Sequence, residues 1–197
     1  MHFSKEEQDA IRIKMFEEGI GLLKQYGVQR LTIDKLTHSC GIAKGSFYNF
    51  YESKETYLYA LMEYAGEHIQ GMLVNKLAGR KQMTTHEFFE FFREYLYSDY
   101  DLLRYVTIED FLWMQKHLSN MERFQAKKQL PELDIWLSLM SDARTDIDKG
   151  VVVNLIKSIY AMREVKANLI QESLDDTIEF MLVQIERYIA KPKIDTQ

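Results

Sequence analysis

Apolar residues return every three to four positions along almost the whole of this chain, and that spacing leaves it few folds to choose from. Ala10, Ile13, Phe16, Ile20 and Leu23 make the first stripe, and Leu58, Leu61, Met62, Ala65, Ile69, Met72, Leu73 and Leu77 make a longer one. No alternating strand pattern of useful length occurs, and no repeat of 20–50 residues is visible. With 2 Pro and 9 Gly in 197 residues, little interrupts the helices. The spacing predicts an all-α protein.

Boundary signals divide the pattern. Ser4 and Glu7 form a capping box ahead of a helix over about 5–25, which Tyr26-Gly27 stops. Thr32 caps a short helix carrying Ile33, Leu36 and Thr37; Cys40-Gly41-Ile42 breaks it, and a second short helix runs from about Ala43 to Asn49. Ser53 opens a long helix of ~25 residues, roughly 38 Å, enough to connect two bodies. Further capping boxes stand at Thr84/Glu87 and Ser119/Glu122, Pro131 ends or kinks the segment before it, and two last helices cover about 147–164 and 174–190. The expected division falls after residue 52, with one helical domain over 1–52 and a second over 53–197.

Composition narrows the class. The single cysteine, Cys40, permits no internal disulfide and no Cys-rich zinc module, which fits a reducing cytoplasm. No run of eighteen apolar residues predicts a membrane span, and the first residues do not read as a signal peptide. The net charge is −5, yet residues 1–60 carry eight basic and eight acidic groups, so the acidity belongs to the remainder. Within 28–54 four Lys/Arg face two Asp/Glu, which allows a locally positive face.

Two short helices joined by a tight Gly-containing turn, with a third helix before them, make a helix-turn-helix, whose second helix suits the DNA major groove. In that second helix Phe47 faces the core, as Ile42 does just before it, and Lys44, Gly45, Ser46, Tyr48 and Asn49 are left outward. Gly45 lets backbone approach a base edge or sugar closely. Lys44 supplies charge for phosphate or guanine acceptors, Ser46 and Asn49 supply neutral hydrogen bonds, and Tyr48 reaches a phosphate or a thymine methyl. Thr32 and Ser53 open helices where phosphates can be held, and Lys54 adds a cation.

These residues resemble the N-terminal pattern of the TetR family of bacterial transcriptional regulators. In the family a Thr opens the second helix, an alanine-Gly-Val-like turn follows, and then comes Lys-Gly-Thr-Leu-Tyr-x-x-Phe-x-x-Lys-Glu-x-Leu. Here stand Thr32, Cys40-Gly41-Ile42, Lys44-Gly45-Ser46-Phe47-Tyr48, Tyr51, Lys54-Glu55 and Tyr57. The departures are Phe47 for Leu, Phe50 where His is frequent, and Tyr51 for Phe. The likeness covers about residues 5–62. It implies an all-helical C-terminal ligand domain, a homodimer built from the last two helices, and a repressor released from a double-stranded DNA operator by a small molecule.

Two expectations concern the C-terminal part. Leu174, Ile178, Met181, Leu182, Ile185, Tyr188 and Ile189 form one stripe with Phe180 and Val183 off it, and Val151, Val152, Leu155, Ile156 and Ile159 do the same in the helix before. A dimer seam is therefore expected at Val152, Leu155, Ile159, Ile178, Met181, Leu182 and Ile185, because a palindromic operator needs two recognition helices. Residues 86–118 are dense in aromatics interleaved with Glu87, Glu90, Glu94, Glu109 and Asp110. A cavity for a lipophilic, neutral or cationic effector is expected there, with Phe88, Phe92, Tyr105, Glu109 and Trp113 as its contacts.

Other chemistry finds no support in the residues. His2, His38, His68, His86 and His117 are too scattered for a local metal set, and His86-Glu87-Phe88-Phe89-Glu90 lacks the second histidine of a metalloprotease helix. No Gly-rich phosphate loop or nucleophile elbow occurs, so neither an enzyme nor a cofactor is expected. Cys40 reads as buried filler, with a redox switch as the lesser reading. The competing function is a protein-interaction co-regulator that keeps the fold without binding DNA.

Overall fold

The computed structural model describes residues 4–117 and 130–192. Nine α-helices occur among them: α1 Lys5–Arg30, α2 Ile33–Cys40, α3 Lys44–Phe47, α4 Lys54–Leu77, α5 Thr85–Tyr97, α6 Ile108–His117, α7 Leu130–Ser138, α8 Lys149–Glu164 and α9 Leu174–Ile189. Within those residues there is no strand, only two isolated bridges, so the all-α expectation holds. The Ser119/Glu122 capping box lies outside the described residues. Pro131 sits in the first turn of α7, where a missing N–H costs nothing.

The start signals work as the sequence predicts. Ser4 and Glu7 close their capping box on α1, and Thr84 and Glu87 do so on α5. The stop at Tyr26-Gly27 is real as well: Gly27 takes φ 72° and ψ 176° inside α1, and one further turn follows it to Arg30. The second short helix is regular only over Lys44–Phe47; from Tyr48 to Tyr51 the chain turns through bonds such as Phe50 N–H to Phe47 O, 2.9 Å.

By compactness the chain forms two units, and the cut does not fall at residue 52. One unit holds residues 4–69 and 99–117, the other 70–98 and 130–192, so α4 contributes to both and α6 packs with the N-terminal helices. The first unit is built on Met15, Leu31, Leu36, Phe47, Tyr57 and Leu61, all about 1 % exposed or less. Gly19 on α1 allows the closest approach: a Cβ there would lie 1.8 Å from the hydroxyl of buried Tyr57, which donates to Met15 O at 2.7 Å. Phe16, Phe47, Tyr51 and Tyr57 form one ring cluster.

The second unit is centred on α5. Phe88, Phe89, Phe91, Phe92 and Leu96 are buried, and Arg93, one turn after Phe89, makes ion pairs to α9, with Glu179 at 2.8 Å and Glu186 at 3.3 Å. Asp142 fixes the start of α5 by accepting from Thr85 N–H at 2.6 Å and Thr85 Oγ1 at 2.8 Å.

Candidate nucleic-acid interface

Gly41 makes the turn between α2 and α3. Its φ of 69° and ψ of 30° lie in the left-handed region that side chains disfavour, and its N–H and that of Ile42 satisfy the last carbonyls of α2, on His38 and Thr37. Phe47, fully buried and packed against Tyr48, Tyr51 and Tyr57, anchors α3 from below. With that anchor inward, Lys44, Gly45, Tyr48 and Asn49 are exposed and Ser46 is half-buried. Tyr48 is 51 % exposed, unusual for a large ring held edge-on to a buried one. A Cβ added at Gly45 would meet no atom within 4 Å, so nothing inside the fold requires glycine there.

The helix-opening residues divide. Thr32, exposed at the start of α2, accepts from Lys35 N–H at 3.2 Å. Ser53, half-buried, caps α4 in a reciprocal pair with Thr56. Lys54 turns inward, against the expectation of a phosphate-facing cation. Its ammonium donates to Val28 O at 2.7 Å and Gln29 O at 3.2 Å, with the Trp113 ring 5.2 Å away, and burial lowers its pKa. The same two residues are held from the other side by buried Asp110 of α6, which accepts from Val28 N–H at 3.4 Å and Gln29 N–H at 3.1 Å. Lys54 and Asp110 thus pin the break in α1 by its carbonyls and its amides. The break is what frees those groups, so a reading by periodicity alone gives no hint of the pair.

Asp34, one of the two acidic residues within 28–54, meets the lysine of α3. Its carboxylate meets Lys44 Nζ at 2.8 Å, and this hydrogen-bonded pair raises the Lys44 pKa. Lys35 is also engaged, donating to Arg30 O at 2.9 Å and standing 3.9 Å above the Tyr26 ring. Cys40 is buried, and its thiol is pushed up to about 11 by desolvation first and by Glu18 second. A thiol so far from ionising is a poor redox sensor.

The residues expected to hold an effector fall in two different units. Phe88 and Phe92 belong to the second unit, where they line an apolar recess with Phe89, Leu133, Trp136 and Val152, with space for about one water molecule. Tyr105, Glu109 and Trp113 belong to the first unit: Tyr105 packs by Lys24 and Arg104, Glu109 is exposed, and Trp113 stacks on His117 at 4.5 Å. Trp136, not Trp113, is the recess tryptophan; its three-residue spacing from Leu133 was the sequence signal. Glu87 and Glu90 pair with Arg80 and Lys76 at the surface, so they bring no negative charge to the recess.

Five of the seven residues expected at the dimer seam are already covered in the single chain. Val152, Ile159, Ile178, Leu182 and Ile185 are all about 1 % exposed or less, and Leu155 and Met181 are half-buried. Apolar periodicity marks a buried face without saying which body buries it. The large apolar groups these two helices leave most open are Phe180, 64 % exposed, and Val151, 40 % exposed.

No family model matches the chain, and no curated protein matches it in sequence. Solved structures do match over nearly its full length. Reduced NemR of E. coli shares 17 % identity at a TM-score of 0.65, covering 94 % of this chain and 100 % of its own. A TetR-family transcriptional regulator from Cytophaga hutchinsonii shares 18 % at 0.61, with 97 % and 100 % covered. SmeT, the repressor of the SmeDEF multidrug efflux pump of Stenotrophomonas maltophilia, shares 15 % at 0.58, with 92 % and 91 % covered. The chain has the fold of the TetR-family transcriptional regulators.

Proposed function

We propose that this protein is a DNA-binding transcriptional regulator that acts as a two-fold dimer on a palindromic operator. The observation that carries the reading is the exposed set Lys44, Gly45, Tyr48 and Asn49, held outward by buried Phe47. A charge, a gap for close approach, an aromatic ring and an amide on one short element match the needs of groove contact, while internal packing requires none of them. Thr32, Ser46 and Ser53 border this set. Lys54 serves it by holding the break in α1.

The dimer seam on this reading runs over the outward faces of α8 and α9, with Phe180 and Val151 as its apolar anchors. The effector is a small neutral lipophilic molecule that enters the second unit by parting the rings of Phe88, Phe92 and Trp136. The likeness to the SmeT repressor favours repression as the role of this chain. Because the recess has so little room, an effector that prefers the opened rings shifts the population toward them.

Selection of duplexes from a randomised pool tests the reading. A palindromic consensus is expected, and Lys44→Ala and Tyr48→Ala each weaken its binding by about 1–3 kcal/mol without changing the thermal melt. No enriched sequence and no salt-dependent retention on duplex DNA would favour the protein-interaction alternative. For the seam, Phe180→Glu is expected to yield monomer by light scattering; a persistent dimer rejects this face.

A further inference from the structure

Four cations stand in residues 28–54, and the structure has already engaged three of them internally. Lys54 and Lys35 are on backbone carbonyls, and Lys44, the cation on α3 itself, is on the carboxylate of Asp34. Both partners of that last pair are well exposed, the Lys44 side chain by 56 % and Asp34 by 69 %. So exposed a pair adds little stability. Its consequence is geometric: the pair biases a flexible four-carbon side chain toward one place on the outer surface of the helix-turn-helix. Asp34 is itself well sited, in the first turn of α2, where a carboxylate suits the positive end of the helix.

A lysine with no tether seeks the nearest phosphate, and phosphates are the same in every sequence. A lysine held by a carboxylate brings almost no net charge to the duplex. With its charge offset it gains less from a phosphate, and a base-edge acceptor within reach of the remaining ammonium hydrogens, such as guanine O6 or N7, competes for it. We propose that Asp34 is a specificity-determining positioning residue, which withholds Lys44 from phosphates and presents it to a base edge. This rests on the DNA-binding reading above and adds to it how operator is told from bulk DNA. The carboxylate touches no DNA in this scheme; it acts through Lys44. Gly45, the next residue, has open space beside it.

The test compares the wild type, Asp34→Asn, Lys44→Gln and the double variant. The probes are the duplex selected by the wild type and a scrambled duplex of the same composition, each at several salt concentrations. Freed from its tether, Lys44 in Asp34→Asn takes a phosphate on any duplex. Affinity for the scrambled duplex then rises about eightfold at 0.1 M salt, the gain that one phosphate contact shows relative to 1 M. The salt slope steepens by about 0.9, and the preference for the selected duplex falls. In the Lys44→Gln background the same change has no effect on either slope or preference. Equal gains in both backgrounds mean that Asp34 is only a repelling charge, which overturns the positioning role. Unaltered binding by Asp34→Asn, with the wild type still selecting its duplex, overturns this proposal alone. A wild type that retains no duplex at all removes the DNA reading and this one with it.

Discussion

Both units of the molecule are built on clustered aromatic rings, but the two clusters are held differently. In the first unit the rings come with directional bonds: Tyr57 donates to Met15 O, Asp110 accepts from two amides at the break in α1, and Lys54 donates to the carbonyls of the same residues. In the second, Phe88, Phe89, Phe92 and Trp136 meet around the recess through ring contacts, and its lining carries no charged group. Directional bonds permit one arrangement and lose their energy when it shifts, whereas apolar contacts are interchangeable over several packings. On the proposed reading, the difference suits a DNA-reading surface that must hold its shape and a recess that must yield to a guest.

The comparison breaks most readily at Phe47. Phe47→Ala leaves a cavity under α3 and is expected to cost about 3–5 kcal/mol in urea unfolding, and to abolish duplex binding with it. Gly19→Ala drives a methyl into the Tyr57 hydroxyl and displaces it from Met15 O, with an expected cost of about 2–3 kcal/mol in the same measurement. If α1 and α4 accept that methyl without loss, the first unit is more pliable than its bonds imply. Lys54→Ala is expected to lower stability by about 1.5–2 kcal/mol and to weaken binding to all duplexes through the fold, with its salt slope unchanged. A slope lowered by about one would return Lys54 to the phosphate contacts.

Phe92→Leu sharpens the contrast from the other side. Its expected cost is below about 1.5 kcal/mol because the ring cluster can repack, and the emission of Trp136, compared in a Trp113→Phe background, is expected to shift. The smallest effect lies at the turn. The Cys40 thiol is raised from 9.0 to about 11, so its protonated form favours the folded state. The contribution is fully present below about pH 9 and is lost as pH rises through 11. Relative to Cys40→Ala, the wild type is expected to lose no more than about 1.3 kcal/mol between pH 8 and 10 in urea titrations. A thiol that reacts rapidly with iodoacetamide at pH 8 in the folded protein contradicts that burial.

Local signals carried the elements and the exposed set on α3. Capping boxes, the Gly41 turn and helical periodicity act within a few residues, so Ser4, Thr32, Ser53 and Thr84 could be read as helix starts, and Lys44, Tyr48 and Asn49 as outward. Tertiary structure decided which partner each buried or charged group found. It turned Ile178, Leu182 and Ile185 into their own unit, sent Lys54 to carbonyls 25 and 26 residues away, and put Trp113 and Trp136 in different units. Periodicity gives only the direction a side chain leaves its helix; what stands there depends on segments distant in the chain, and on burial energies summed over all of them.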